Sequence, residues 1–187
     1  MNNTPKEELQ KVVRIADQLC SMHAFLCQKY KYRNVMVEVS CIIVSIWLVM
    51  MAFIQPEIAF KIYPSIFPPN IWIGILSFLV CGLSVFHIIV DWRGKAQSHQ
   101  QASTLLSSFK KEYRKNSDDN IAEEAILRYN LLTDSLISIP EKYFLPLKRK
   151  HLIKVAVSRH LSNHPATCIL LFKLKLWYAD NMSKKDE

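Results

Sequence analysis

Glycine is scarce in this chain, which has three glycines among its 187 residues. Loops that hold the phosphates of a nucleotide depend on closely spaced glycines, so a nucleotide-binding enzyme loop is not expected. The sequence also has no HExxH motif, no Walker-type motif and no recognisable Ser-His-Asp set. These absences give catalysis little support, and we expect a protein that is not an enzyme and that needs no cofactor.

Signals for paired or metal-bound cysteines are missing as well. The five cysteines are odd in number and form no CxxC pair, a pattern that indicates reduced thiols. Cys20, His23 and Cys27 fall at positions i, i+3 and i+7 of a predicted helix and therefore share one face. Because a fourth ligand is missing, we interpret this face as a packed seam between helices and expect no metal site.

Charge is nearly absent from the middle of the chain. Residues 35–55 contain one ionised group, Glu38, and residues 71–90 contain no Asp, Glu, Lys or Arg. A helix of about twenty residues is about 30 Å long, which matches the hydrocarbon thickness of a bilayer. Both segments are apolar almost all round, whereas a helix at the surface of a soluble domain has one polar face.

We therefore predict two transmembrane helices, at residues 35–55 and 71–92, joined by an extracytoplasmic loop at residues 56–70. The alternative is a pair of hydrophobic helices buried in a globular core, which would need far more surrounding chain to cover it. Lysine and arginine residues flank both spans, whereas the one lysine of the loop is balanced by a glutamate. By the positive-inside rule, both chain termini face the cytoplasm.

Two stripes of mostly apolar residues at helical spacing lie outside the spans. The first stripe consists of Leu9, Val12, Ala16, Leu19, His23, Leu26 and Tyr30, and the second of Ala96, His99, Ala102, Leu106, Phe109 and Tyr113. We expect residues 1–34 to form a cytoplasmic amphipathic helix that packs antiparallel to the helix returning from the second span. Residues 93–187 are predicted to form a cytoplasmic helical region with a basic C-terminal part.

A third cytoplasmic helix is predicted at residues 121–137. Four of its apolar residues suit packing against the first two helices: Ile121, Ala125, Leu132 and Leu136. Three prolines are expected to divide the rest of the chain into short pieces: Pro140, Pro146 and Pro165. Residues 167–178 are compatible with either helix or strand. The predicted fold class is an all-α membrane protein, a two-transmembrane helical hairpin whose long helices extend into a cytoplasmic helical region.

Small and weakly polar residues form a stripe in each predicted span. In the second span the stripe is Gly74, Ser77, Cys81, Ser84, His87 and Asp91, and in the first it includes Glu38, Cys41 and Ser45. One interpretation is that these residues let membrane helices approach one another closely. The other is that they line a water-filled pathway, with Glu38, His87 and Asp91 near its cytoplasmic mouth. Two helices cannot enclose a pore, so the second interpretation requires a homo-oligomer.

A dense basic cluster without acidic residues lies towards the C-terminus. Its members are Lys148, Arg149, Lys150, Lys154 and Arg159. Such a cluster attracts anionic lipid headgroups, at about 1 kcal/mol per residue near the membrane surface. A phosphate-bearing ligand or a nucleic acid is the alternative, although the sequence has no phosphate-cradling glycine loop and no recognisable nucleic-acid module.

The arrangement of these segments resembles a known family. A cytoplasmic helix runs into two spans and a long returning helix, and the stretch RYNLLTDSLISIPEKYF (residues 128–144) and a basic region follow. This pattern is similar to that of the SMODS and SLOG-associating two-transmembrane effectors, the SLATT family, over roughly residues 5–180. The family has no catalytic residues to transfer to this chain.

The resemblance implies a function in bacterial antiphage defence. It implies an inner-membrane effector that permeabilises the membrane when infection is sensed, so that the infected cell stops growing or dies. The implied partner is a genetically linked sensor, such as a cyclic-nucleotide synthase, a SLOG protein or a reverse transcriptase, and this chain contains none of these modules. The alternative function is a non-conducting membrane tether or scaffold for a cytoplasmic defence complex.

Overall fold

The computed structural model describes residues 5–53, 69–114 and 119–182. These residues form no strand and six α-helices: α1 (Pro5–Phe53), α2 (Pro69–Val90), α3 (Trp92–Tyr113), α4 (Asp119–Ser135), α5 (Glu141–Asn163) and α6 (Ile169–Met182). The predicted all-α class is therefore confirmed. The predicted loop at residues 56–70 lies outside the described residues, except for its last two positions, which begin α2.

Helix α1 runs through 49 residues without interruption. Its sequence contains no glycine, and its one proline, Pro5, stands at the first position, where the missing N–H costs no helical hydrogen bond. The predicted amphipathic helix and the first predicted span are thus parts of one helix.

Both α1 and α2 contain a segment long and apolar enough to cross a membrane. None of the residues in the most apolar window of either helix is buried. Phe53 and Phe78 show the extent of this exposure, since their side chains are 86% and 82% accessible. The core helix of a soluble protein would be covered by the rest of its chain, so this surface fits association with a membrane.

The chain divides into two compact units, and α1 contributes to both. The first unit comprises residues 1–25 and 102–187, and the second comprises residues 26–101. The divisions fall after residues 25 and 101, whereas the predicted ends of the spans are at residues 34 and 92. Each unit therefore includes part of the helices that flank the spans.

The first unit has a core formed by three helices. Its buried residues come from α1 (Leu9, Ala16), α3 (Leu106, Phe109, Tyr113) and α4 (Ala122, Ala125). Leu132 and Leu136 pack against this cluster, as the helical spacing predicts, and the side chain of Ile121 lies outside the described residues. At its edge, the Lys110 ammonium lies 2.6 Å from the Asp17 carboxylate.

In the second unit, the part of α1 before the span packs against the first half of α3. Leu26, Cys27, Ala96 and His99 are buried here. The imidazole of His99 stacks on the Tyr30 ring, with 5.6 Å between the ring centroids. The predicted stripe in α3 extends through both units, and all six of its residues are buried, which confirms that they form one packed face.

The C-terminal helices differ from the prediction at one proline. Pro146 does not break the chain but lies inside α5, as its sixth residue. It removes one N–H, the donor to the carbonyl of Lys142, and the helix continues because the following turns are intact and Leu147 is buried. Residues 167–178, which were compatible with helix or strand, lie mostly in α6.

Replacement of Leu106 by alanine tests the core of the first unit. Leu106 has no accessible surface, so Leu106→Ala leaves a cavity and is expected to lower the free energy of unfolding by about 2–5 kcal/mol. The matched control is Leu127→Ala, because Leu127 is 62% accessible, and it should change stability by less than about 0.5 kcal/mol. Thermal unfolding in detergent, followed by circular dichroism, measures both. Equal losses for the two variants would contradict this core.

The stability of the protein is expected to fall as the pH drops below about 6.5. Burial lowers the pKa of His99 from its ordinary value of 6.5, because the charged imidazolium loses its hydration. In that pH range His99 binds a proton more readily in the unfolded chain than in the folded one, so acid favours unfolding. The melting temperature measured from about pH 7.5 to about pH 5.5 should show this slope. His99→Phe keeps a ring beside Tyr30 and should flatten the slope, whereas His164→Gln, at an exposed position, should not.

Candidate functional site

The small residues of α2 lie on an uncovered face of the helix. Gly74, Ser77, Cys81 and Ser84 are all exposed, and we call them the small-residue face. A Cβ atom placed on Gly74 would meet no atom within 4 Å. The partly buried residues of α2 follow another line, about 100° away round the helix axis: Ile73, Leu76, Val80, His87 and Val90. Within the described ranges, the chain therefore leaves the small-residue face uncovered.

The residues of the predicted stripe in the first span differ in their burial. Cys41 is partly buried, whereas Glu38 and Ser45 are exposed. The partly buried line of α1 is Val37, Cys41, Val44, Leu48 and Met51. Leu48, which interrupts the polar stripe in the sequence, is thus a regular member of this line.

One serine hydroxyl of each stripe is satisfied within its own helix. Ser45 Oγ donates to the carbonyl of Cys41, and Ser84 Oγ donates to the carbonyl of Val80, each over 2.8 Å. Such bonds remove the cost of placing a hydroxyl in an apolar medium. These side chains therefore need no water and no partner to satisfy their hydrogen bonds.

Glu38 and His87 are brought together through a residue that the sequence analysis did not select. Asn34 Nδ2 donates to Glu38 Oε1 over 2.7 Å, and His87 Nε2 donates to Asn34 Oδ1 over 2.9 Å. Asn34 is 8% accessible, so both halves of its amide are paired where little water reaches them. The i, i+4 spacing from Asn34 to Glu38 was the available signal. We call these three residues the Asn34 cluster.

Asp91 lies at the junction of α2 and α3 and acts as a helix cap. Its backbone has a positive φ of 44°, a conformation that Asp tolerates better than most residues. Its Oδ1 accepts the backbone N–H of Gly94 over 2.8 Å. A Cβ at Gly94 would lie 2.1 Å from Asp91 Oδ2, so the carboxylate can take this position only because residue 94 is glycine. The structure thus gives Asp91 a structural role at this junction.

The basic cluster of α5 is divided between two clefts. Lys154 and Arg159 line a cleft of about 360 Å³ between α5 and the part of α1 around Ser21. Arg149 lines a second cleft, of about 450 Å³, between α5 and α6. The other lining residues of the second cleft are mainly apolar and include Leu152, Ile153, Ala156, Lys173, Leu176 and Trp177. Lys148 and Lys150 are exposed and line neither of these two clefts.

The cleft near Ser21, which we call the α1/α5 cleft, has hydroxyl and imidazole groups that the sequence analysis did not connect. Its remaining lining residues are Asp17, Ser21, His151, Val155, Ser158 and Ser162. Ser21 Oγ is hydrogen-bonded to His151 Nδ1, and this pair joins the two helices at the base of the cleft. Helical spacing relates the α5 residues to one another, but nothing in the sequence pairs residue 21 with residue 151.

The three residues considered as metal ligands take part in other contacts. Cys20 Sγ lies 3.3 Å from the carbonyl oxygen of Ser103 and 3.5 Å from its hydroxyl. His23 and Cys27 are buried. In the described part of the chain, no group of three His, Cys, Asp or Glu residues is arranged to hold a metal ion.

Comparison with known proteins adds no family to this description. No protein-family model, no curated protein and no solved structure matches the chain.

Proposed function

We propose that this protein is an oligomeric two-transmembrane effector of a bacterial antiphage defence system, which permeabilises the inner membrane when a partner sensor or its nucleotide signal triggers it. The observation that carries the proposal is the uncovered small-residue face on a helix long enough to span a bilayer. The resemblance to the SLATT family supports the defence role and the genetically linked sensor.

An uncovered face of small residues suits contact between copies of the chain. Lipid tails are as apolar as leucine, so membrane helices associate through close packing, which small residues permit. Gly74 has open space around it, so a helix from a second copy can approach the backbone there. In the proposed oligomer, α2 helices meet along this face and the Asn34 cluster lies near the cytoplasmic end of the spans.

The alternative is a membrane tether that conducts nothing. The hydrogen bonding favours it, because Ser45 and Ser84 inside the predicted spans and Asn34 just before the first one are satisfied without water. A conducting pathway needs groups that replace the hydration of an ion. Glu38 is the exposed acid near the start of the first span, so its charge distinguishes the two functions.

A leucine at position 74 is expected to prevent assembly. Gly74→Leu places a large side chain on the small-residue face, and because this position is open in the single chain, the fold should not change. Gly82→Leu is the matched control: Gly82 is equally open but points about 80° away from Gly74 round the helix. Cross-linking in membranes should show loss of oligomers for Gly74→Leu and retention for Gly82→Leu. Loss in both variants, or in neither, would contradict this interface.

The protein is expected to depolarise the membrane of infected cells. It would be expressed with its neighbouring genes and challenged with phage, while a potential-sensitive dye reports the membrane potential. Protection that persists with an unchanged potential would refute the pore.

Glu38→Gln separates the pore from the tether. The glutamine keeps the oxygen that accepts from Asn34 but removes the charge, so it should preserve the fold and weaken depolarisation of a cation pathway. A tether would protect as well as the parent chain. Insertion of the variant into the membrane is the necessary control.

A further inference from the structure

The α1/α5 cleft combines positive charge with hydrogen-bond donors on one face of one helix. The α5 residues that line it recur every three or four positions, from His151 to Ser162, and so form a continuous face. Opposite them lie Asp17 and Ser21 of α1. With about 360 Å³ of space, the cleft lies at the small end of the range typical of sites for small molecules.

The charge of the cleft is positive because its one acid is neutralised. Asp17 is the acidic residue among the lining residues, and its carboxylate is bound to the Lys110 ammonium over 2.6 Å. Lys154 and Arg159 are exposed, and neither forms an ion pair with any acid in the described ranges. Two cations therefore face the cleft without a counter-charge from the described residues.

Neutral donors surround these two cations. The hydroxyl of Ser162 donates at present to the backbone carbonyl of Ser158 over 3.0 Å, and it can rotate towards a ligand. Ser158 adds a second hydroxyl to the lining. His151 is held by its Nδ1 to Ser21, which fixes the orientation of its ring and leaves Nε2 as a second polar atom.

We propose that the α1/α5 cleft is a binding site for a phosphate group. A phosphate offers several strong acceptor oxygens, which match a guanidinium fork, an ammonium and hydroxyl donors. Arg159 and Lys154 supply the charge, and Ser158 and Ser162 supply the neutral donors. The group belongs either to a free phosphate compound or to the headgroup of an anionic phospholipid, and both sources present the same chemistry.

The positions of the cations distinguish a specific site in the α1/α5 cleft from a general attraction of anions to α5. Lys148 lies on the same helix and is exposed, but it does not line the cleft. The apolar cleft around Arg149 offers no hydroxyl group, because its other lining residues are Lys173 and apolar side chains. Binding at the α1/α5 cleft should thus depend on Lys154 and Arg159 and not on the total charge of α5. The site does not depend on the proposed pore, since it requires neither an oligomer nor conduction.

Binding of radiolabelled inorganic phosphate to the full chain in nanodiscs of phosphatidylcholine tests the site. The parent protein should bind phosphate saturably. Lys154→Gln and Arg159→Gln should each weaken binding about tenfold, because each removes a charge-assisted hydrogen bond. Lys148→Gln, which makes the same change in charge outside the cleft, should bind as the parent does. Circular dichroism and the melting temperature verify that each variant is folded.

Nanodiscs that contain phosphatidylglycerol distinguish the two sources of the phosphate group. If the headgroup occupies the cleft, this lipid should displace inorganic phosphate from the parent protein but leave the residual binding of Lys154→Gln unchanged. If the source is a free phosphate compound, phosphatidylglycerol should leave phosphate binding of the parent protein unchanged. Absence of saturable phosphate binding, or an equal loss in Lys148→Gln and Lys154→Gln, overturns the proposal.

Discussion

The apolar surface of α1 and α2 that the chain leaves uncovered is the constraint on which the rest of the structure depends. Each large apolar side chain kept in water instead of an apolar medium forgoes about 1.5–3 kcal/mol. No other helix of the described chain covers the most apolar window of either helix. The described residues therefore leave this surface for a medium or a partner to cover, and two segments of about 28–33 Å suit the hydrocarbon layer of a bilayer. The remaining helices form their own core elsewhere, among Leu9, Leu106 and Ala125.

An apolar medium imposes a second requirement, that polar groups within it find partners in the chain. The two serines and the Asn34 cluster meet it in different ways. Ser45 and Ser84 donate hydrogen bonds to backbone carbonyls of their own helices, which leaves neither hydroxyl unpaired. Asn34 instead joins α1 to α2 by pairing with both Glu38 and His87, so these polar side chains also tie two helices together. Near the end of the second predicted span, the Asp91 carboxylate accepts the N–H of Gly94, one of the free N–H groups at the start of α3, and the absence of a Cβ at Gly94 leaves room for this cap.

The sequence was sufficient for features that depend on periodicity and composition. The stripe from Ala96 to Tyr113 is buried as predicted, since helical spacing alone determines which residues share a face. Pairings between distant residues could not be predicted from the sequence, because they depend on how the helices are placed in space. The examples are the hydrogen bonds of Asn34 with His87 and of Ser21 with His151. The prediction that Pro146 divides the chain was wrong, because a proline near a helix start removes one hydrogen bond but does not always end the helix. The sequence predicts the basic cluster as a group. Its division between two clefts depends on the packing of α1 and α6 beside α5 and could not be predicted.

In the proposed oligomer, the hydrogen bonding of the predicted spans also limits what can hold the copies together. Because the hydroxyl of Ser84 and the amide of Asn34 are already paired, these two groups add no new hydrogen bond to an interface along the small-residue face. Its stability then rests on van der Waals packing, which is favourable only where the helices approach closely. The proposed oligomer has a closed and an open arrangement of its helices. A ligand or partner that binds one arrangement more tightly than another can then shift the population, and the shift is limited by the difference between its two affinities.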